Sequence, residues 1–316
     1  MRIGFSVSAL KFFETWLMIM TTTPAASAVR FKAFFLGGIA IASAGLTVLR
    51  IFGDGIGLPS VAFPFLTLGF VLLFGALAFC FRGKFHIKQE HTSLSTTFSS
   101  SALAFLFLTL LVVTLFFRTS LSYQYYAEDV NKVVSVLVKV FAACSAVYFL
   151  MNAAWAGIES KYGLHLGFSF APILYFACRI LNEFINNSTN PTGDSHGYLM
   201  FSLIFFMLFF LTESKALILD GNAFRYLLFG AAAVILSSIY NVTNLVGYLN
   251  GEIAPIQAIY SLLAVALSFH VIIRMATLPP VLSDGSFFTD EEGMIVDEEV
   301  FITKEQISES EPETNE

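Results

Sequence analysis

Eight long apolar runs, separated by short polar breaks, limit what this sequence can fold into more than any other feature. A helix that crosses the hydrocarbon core of a bilayer needs about 20 mostly apolar residues. Only 13% of the residues are charged and 56% are hydrophobic, whereas a soluble domain is about a quarter charged. We therefore predict an all-α fold, a polytopic integral membrane helix bundle of about eight transmembrane helices. The predicted spans are Ala33–Ile51, Val61–Phe81, Ser101–Phe117, Val133–Ile158, Leu166–Ile185, Gly197–Thr212, Phe224–Tyr248 and Ile256–Leu278. Seven spans stay open as an alternative, if two of these prove re-entrant.

The charges divide the chain into three regions. Residues 280–316 hold 12 Asp or Glu and one basic residue, Lys304, whereas the rest of the chain holds 16 Lys or Arg and 11 Asp or Glu. An acidic segment with few aromatic residues cannot bury enough apolar surface to offset its ordering entropy. We predict an N-terminal cytoplasmic or interfacial segment at 1–32, a transmembrane helical domain at 33–279 and a disordered acidic cytoplasmic tail at 280–316.

The first 28 residues allow three interpretations. A basic start and the ending Ala26-Ser27-Ala28 resemble a cleavable signal peptide, although Lys11 and Glu14 interrupt its apolar core. A short amphipathic helix at the membrane surface is the second interpretation. A translation start further along, at Met18 or Met20, is the third.

Orientation follows from the bias of Lys and Arg toward cytoplasmic segments. With the N-terminus inside, 12 of these residues fall on inner segments and 3 on outer ones. The count predicts an integral membrane protein of the cell membrane with both termini in the cytoplasm.

Polar side chains form one stripe on the fifth predicted span and another on the seventh. Residues three or four apart share a helical face, so each set lies on one side of its helix, and both sets lie toward the outer end. Arg179 and Glu183 are one turn apart and close enough to pair. The fifth-span stripe is Tyr175, Arg179, Asn182, Glu183 and Asn186; the seventh-span stripe is Ser237, Tyr240, Asn241, Asn244 and Tyr248.

Two hypotheses account for these stripes. In the first, they face each other across an outward-facing polar cavity, where Arg179 anchors a small polar or anionic ligand, Glu183 orients its guanidinium and the amides supply directional hydrogen bonds. In the second, the same groups hydrogen-bond across helices and hold the bundle together. Further along, we interpret Glu213 and Lys215 as boundary charges, His270 as a hydrogen-bonded structural residue and Arg274 as a cytoplasmic charge that needs no function.

The sequence contains no motif that is typical of catalysis, metal binding or cofactor binding. The five histidines show no metal-ligand spacing, no HExxH or GxSxG motif occurs and no Gly-rich loop ends in a Lys. We interpret Cys80, Cys144 and Cys178, all inside apolar runs, as buried and reduced. We expect no enzyme, no cofactor and no nucleic-acid partner. The leading prediction is a protein that binds or transports a small molecule in the lipid bilayer; the alternative is a membrane scaffold or signalling component that recruits a cytoplasmic protein through its acidic tail.

Overall fold

Eight α-helices make up nearly all of the protein that the computed structural model describes, which is residues 24–56, 62–80, 82, 85, 94–116, 131–154, 162–189, 196–216 and 222–278. Of these residues 94% are helical and none forms a strand. In chain order the helices are α1 (Pro24–Ile56), α2 (Ala62–Cys80), α3 (Leu94–Phe116), α4 (Lys132–Ala154), α5 (Tyr162–Thr189), α6 (His196–Ala216), α7 (Ala223–Leu249) and α8 (Pro255–Ala276).

All eight helices are long and apolar enough to cross a membrane, which confirms the predicted helix bundle and its eight spans. The two largest differences from the predicted boundaries are at helix starts: α1 begins at Pro24 instead of Ala33, and α3 begins at Leu94 instead of Ser101. The start of α3, which precedes the predicted span, is rich in Ser and Thr. Within the helix, Ser99 Oγ donates to Thr96 O at 3.0 Å and Ser101 Oγ donates to Thr97 O at 2.9 Å, so these two hydroxyls have backbone partners and do not require water.

Some sequence-based predictions concern residues outside the described part. The interpretations of the N-terminal segment fall on residues 1–23, and the disordered tail falls on residues 280–316. The Ala26-Ser27-Ala28 sequence lies inside α1, whereas the side chains before Ala28 are not described.

Helix α7 is the central element of the bundle. It packs against α1, α2, α6 and α8, and over its apolar stretch 67% of the residues are buried, compared with 28% in α2. The run Gly230-Ala231-Ala232-Ala233 is buried throughout. Small side chains let helix backbones approach closely, which is how helices associate where no water drives them together.

Neighbouring helix ends define two ends of the bundle. Lys32 Nζ, near the start of α1, donates hydrogen bonds to the carbonyl oxygens of Ala276 and Leu278, both at 2.7 Å. The start of α1 therefore lies beside the end of α8, and we call this the tail end because residues 280–316 follow it. At the opposite end, called the far end, the Arg50 guanidinium lies 5.6 Å from the centre of the Phe63 ring, joining the end of α1 to the start of α2.

Aromatic rings fill the core between α3, α4, α5 and α6. Phe107 stacks on Phe149 and Phe176 stacks on Phe206, each pair with ring centres 5.6 Å apart. Phe210 completes the cluster, and all five rings are at most 1% exposed. This dry layer lies between the polar groups of the two ends.

Candidate functional site

The polar stripe of α5 is centred on a buried ion pair at the far end. Arg179 is 8% exposed and pairs with Glu183 one turn later. Its guanidinium carbon also lies 3.8 Å from the centre of the Tyr260 ring of α8, a cation–π contact that strengthens when water is excluded. One turn before Arg179, Tyr175 is buried edge-on against Phe107 of α3, with ring centres 5.1 Å apart. The carboxylate and the ring together fix the arginine.

The polar stripe of α7 makes hydrogen bonds to α8. Ser237 Oγ donates to Ala264 O at 3.3 Å, and Asn244 Nδ2 donates to Ser261 Oγ at 3.5 Å. Within α7, Asn241 Nδ2 donates to Ser237 O at 3.0 Å and to Ser237 Oγ at 3.1 Å. These groups therefore serve helix–helix contact, as the second sequence-based hypothesis describes.

The two stripes meet on α8 and do not face each other directly. In the described part of the bundle α5 packs against α4 and α6, and α7 packs against α1, α2, α6 and α8. The first half of α8 receives Arg179 on Tyr260 and Asn244 on Ser261, which are consecutive residues. Nearby, Gln257 Nε2 of α8 donates to Tyr240 Oη of α7 at 3.4 Å. Helical spacing predicts which residues share a face, but not which helix lies opposite.

Two amide oxygens of the α5 stripe are buried without a hydrogen-bond donor in the described part of the protein. These are Asn182 Oδ1 and Asn186 Oδ1, which belong to residues one turn apart on the face that also carries Arg179 and Glu183. Buried polar atoms nearly always have a partner, and leaving one unpaired costs about 1–3 kcal/mol. Donors from outside the protein would remove that cost at both positions.

A second ion pair lies at the tail end, where we had expected only boundary charges. Glu213 of α6 is 3% exposed, and its Oε1 accepts from Arg274 Nε at 2.6 Å and lies 2.5 Å from Arg274 Nη2 of α8. The interpretation of Glu213 as an ordinary boundary charge was therefore wrong, whereas Arg274, interpreted as a cytoplasmic charge that needs no function, has a structural partner in Glu213. The partners are 61 residues apart, so no local spacing in the sequence announces the pair.

Next to this pair, His270 is a hydrogen-bonded structural residue, as its position predicts. His270 Nδ1 lies 3.0 Å from Ser99 Oγ of α3, and the imidazole packs edge-on against Phe149 of α4 with ring centres 5.4 Å apart. The residue is 2% exposed. Helices α3, α6 and α8 thus contribute polar groups to one buried cluster at the tail end, and α4 packs the Phe149 ring against it.

Metal-binding groups are not assembled in the described residues, where no three His, Cys, Asp or Glu side chains come together. The three cysteines are free; Cys80 is exposed and the other two are intermediate. The prediction that all three are buried was wrong, because an apolar run places a residue in the membrane without deciding whether it faces protein or lipid.

A comparison with protein families, with curated proteins and with solved structures found no match. The protein's eight apolar helices are those of a multi-pass membrane protein.

Proposed function

We propose that this protein binds a small polar molecule at the far-end site formed by the α5 stripe and the first half of α8. The observation that carries the proposal is the pair of unpartnered amide oxygens at Asn182 and Asn186, beside the Arg179–Glu183 ion pair. A ligand that donates hydrogen bonds to both oxygens offsets the cost of their burial. Transport of that ligand across the bilayer is the extension of this proposal.

The charge balance of the site favours a neutral or zwitterionic molecule over a simple anion. Arg179 is the one cation among the stripe residues, and Glu183 already neutralises it. The Tyr260 ring covers the guanidinium in addition. An anion would have to displace the carboxylate within a region of low dielectric, where separating the pair is costly. Small polyols, amides and amino acids offer hydrogen-bond donors without that penalty.

The polar residues of α7 are not part of the proposed ligand contacts. Ser237, Asn241 and Asn244 have protein partners that account for their burial. In this proposal they hold α8 against α7, so that Tyr260 stays in contact with Arg179. The ligand contacts are assigned to α5.

The test is thermal unfolding of the purified protein in detergent, with and without a panel of polyols, amino acids and small carboxylates. A ligand present at about 100 times its Kd stabilises the folded state by about 2.7 kcal/mol, which raises the Tm. The double variant Asn182→Leu, Asn186→Leu should lose this response. It should unfold no lower than wild type without ligand, because it removes two unpaired polar groups.

The matched control is Arg50→Met, which removes an arginine at the same end of the bundle but away from α5. Arg50→Met should keep the response to ligand, whereas Arg179→Met should lose it. A panel in which no compound raises the Tm of the wild-type protein, together with wild-type behaviour of Arg179→Met, would contradict the proposal. The helix-contact hypothesis would then account for both stripes.

A further inference from the structure

One end of the bundle carries most of its positive charge. Contacts between helix ends show that the helices alternate in direction, so the ends of α2, α4 and α6 and the starts of α3, α5 and α7 lie at the tail end. Among the described residues, this end holds 6 Lys or Arg and 1 Asp or Glu. The described residues of the far end include 4 Lys or Arg and 3 Asp or Glu. The bundle is therefore electrically asymmetric along its axis, whichever end faces the cytoplasm.

Exposed basic side chains at the tail end form what we call the basic surface: Arg30, Arg82, Lys215 and Arg225. They come from the start of α1, the end of α2, the end of α6 and the start of α7. The end of α2 lies beside the start of α7, because the Arg82 guanidinium covers Phe79 at 4.5 Å and Phe79 packs edge-on against Phe224, the residue before Arg225, at 5.6 Å.

The described part of the tail end contains one acidic residue, Glu213, and its carboxylate is bonded to Arg274. No other acidic side chain in the described part of this end balances the charge of the basic surface. Arg225 also lies in the first turn of α7, which contains no acidic residue. The positive end of the helix dipole disfavours a cation at that position. An anionic partner at the basic surface would relieve both effects.

The most acidic segment of the chain, residues 280–316, follows α8 at the tail end. Residues 280–316 hold 12 Asp or Glu and one Lys, and they follow Leu278, which is 5% exposed and whose carbonyl oxygen accepts from Lys32 Nζ. The acidic segment thus begins beside the start of α1, within the basic end. A random coil of the same length as residues 280–316 has an end-to-end distance of about 35 Å, which is enough to cross the end of a bundle whose helices are about 8–10 Å apart.

We infer that the acidic segment 280–316 binds the basic surface of its own bundle. Tethering supplies an effective concentration in the mM range, so that many weak contacts suffice. Each exposed ion pair contributes about 0.2–1 kcal/mol, and salt screens it over about 8 Å at physiological ionic strength. The contact is consequently multivalent, sensitive to salt and exchangeable, so a basic cytoplasmic partner competes for the same segment. This inference does not depend on the far-end ligand site.

Zero-length carbodiimide coupling of the full-length protein in phosphatidylcholine nanodiscs tests the inference. At low ionic strength, mass spectrometry should find amide links between Lys215 and carboxyl groups of residues 280–316. In about 1 M salt, where the Debye length is about 3 Å, the yield should fall several-fold. Lys132 is exposed at the far end and should form no such link.

Two controls decide among the outcomes. Lys215→Arg keeps the charge but offers no amine, so its sample should lack the link while the protein folds normally. A mixture of isotope-labelled and unlabelled protein shows whether the linked residues belong to one chain. Absence of the Lys215 link at low ionic strength, equal coupling of Lys132, or links only between differently labelled chains would each overturn the inference.

Discussion

Glu213 and Arg274, which are 61 residues apart in the chain, form an ion pair inside the helix bundle. The pair joins α6 to α8, and two of the three guanidinium nitrogens of Arg274, Nε and Nη2, approach the same oxygen, Glu213 Oε1. Forming such a pair gains little net stability, because both groups must be desolvated, but removing one partner leaves a buried charge uncompensated and costs about 3–5 kcal/mol. The pair therefore acts mainly by penalising arrangements in which α6 and α8 separate.

Substitution of one partner should be worse than substitution of both. We expect Arg274→Met to lower the Tm strongly, because it leaves the Glu213 carboxylate without its cation, and Glu213→Gln to lower it less. The double variant Glu213→Gln, Arg274→Met should recover part of the loss, measured by thermal unfolding in detergent. Lys215→Met, two residues away and exposed, is the control and should lower the Tm much less than Arg274→Met, because an exposed ion pair contributes only about 0.2–1 kcal/mol. A double variant less stable than Arg274→Met alone would contradict this account.

At the scale of the helix, α7 is central because its neighbours can come close to its backbone. A Cβ added at Gly230 would lie 2.7 Å from Met275 Sδ, 3.1 Å from Val271 Cγ1 and 3.3 Å from Phe209 Cδ2. Helices α6 and α8 thus both occupy the space that a side chain would need. Overpacking of this kind costs about 1–3 kcal/mol, since the surrounding side chains must leave their favoured rotamers.

Gly230→Val should accordingly lower the Tm and the yield of folded protein. The matched control is Gly37→Val on α1, where a Cβ would meet nothing within 4 Å. Both changes exchange a helical glycine for the same residue, so helix propensity affects them alike. The difference in Tm, measured in one detergent, isolates the close packing of α7. Equal Tm values for the two variants would refute the assignment of Gly230 as a close-contact position.

At the scale of the whole molecule, two polar regions are separated by a layer of aromatic rings. The far-end site and the tail-end cluster both use α8, through Tyr260 at one end and His270 and Arg274 at the other. Between them, Phe107, Phe149, Phe176, Phe206 and Phe210 pack against each other without exposed surface. A molecule bound at the far end would have no polar path through these rings, so its passage would require the helices to move.

The position of the chain ends can be tested without any ligand. The contact of Lys32 with Leu278 places the start of α1 and the end of α8 at one end, and the distribution of Lys and Arg predicts that this end is cytoplasmic. Epitope tags at the N-terminus and C-terminus should both be inaccessible to antibody or protease in intact cells and accessible after permeabilisation. Tags accessible from outside would reverse the predicted orientation, and tags on opposite sides would contradict the prediction that both termini are cytoplasmic.

The sequence by itself determined the helical class, the number of spans and the charge of each connection. These follow from hydrophobicity and charge summed over about 20 consecutive residues, which requires no knowledge of neighbours. Even the Arg179–Glu183 pair was predictable, because both partners lie on one helix.

The tertiary structure alone decided which helix lies opposite each face. Arg179 meets Tyr260, Glu213 meets Arg274 and Ser99 meets His270, and each pairing joins residues far apart in the chain. The period of a helix shows which side chains point the same way, but every helix in this bundle is apolar around most of its surface. The sequence therefore carries little record of which side of a helix faces protein and which faces lipid, and only packing resolved it.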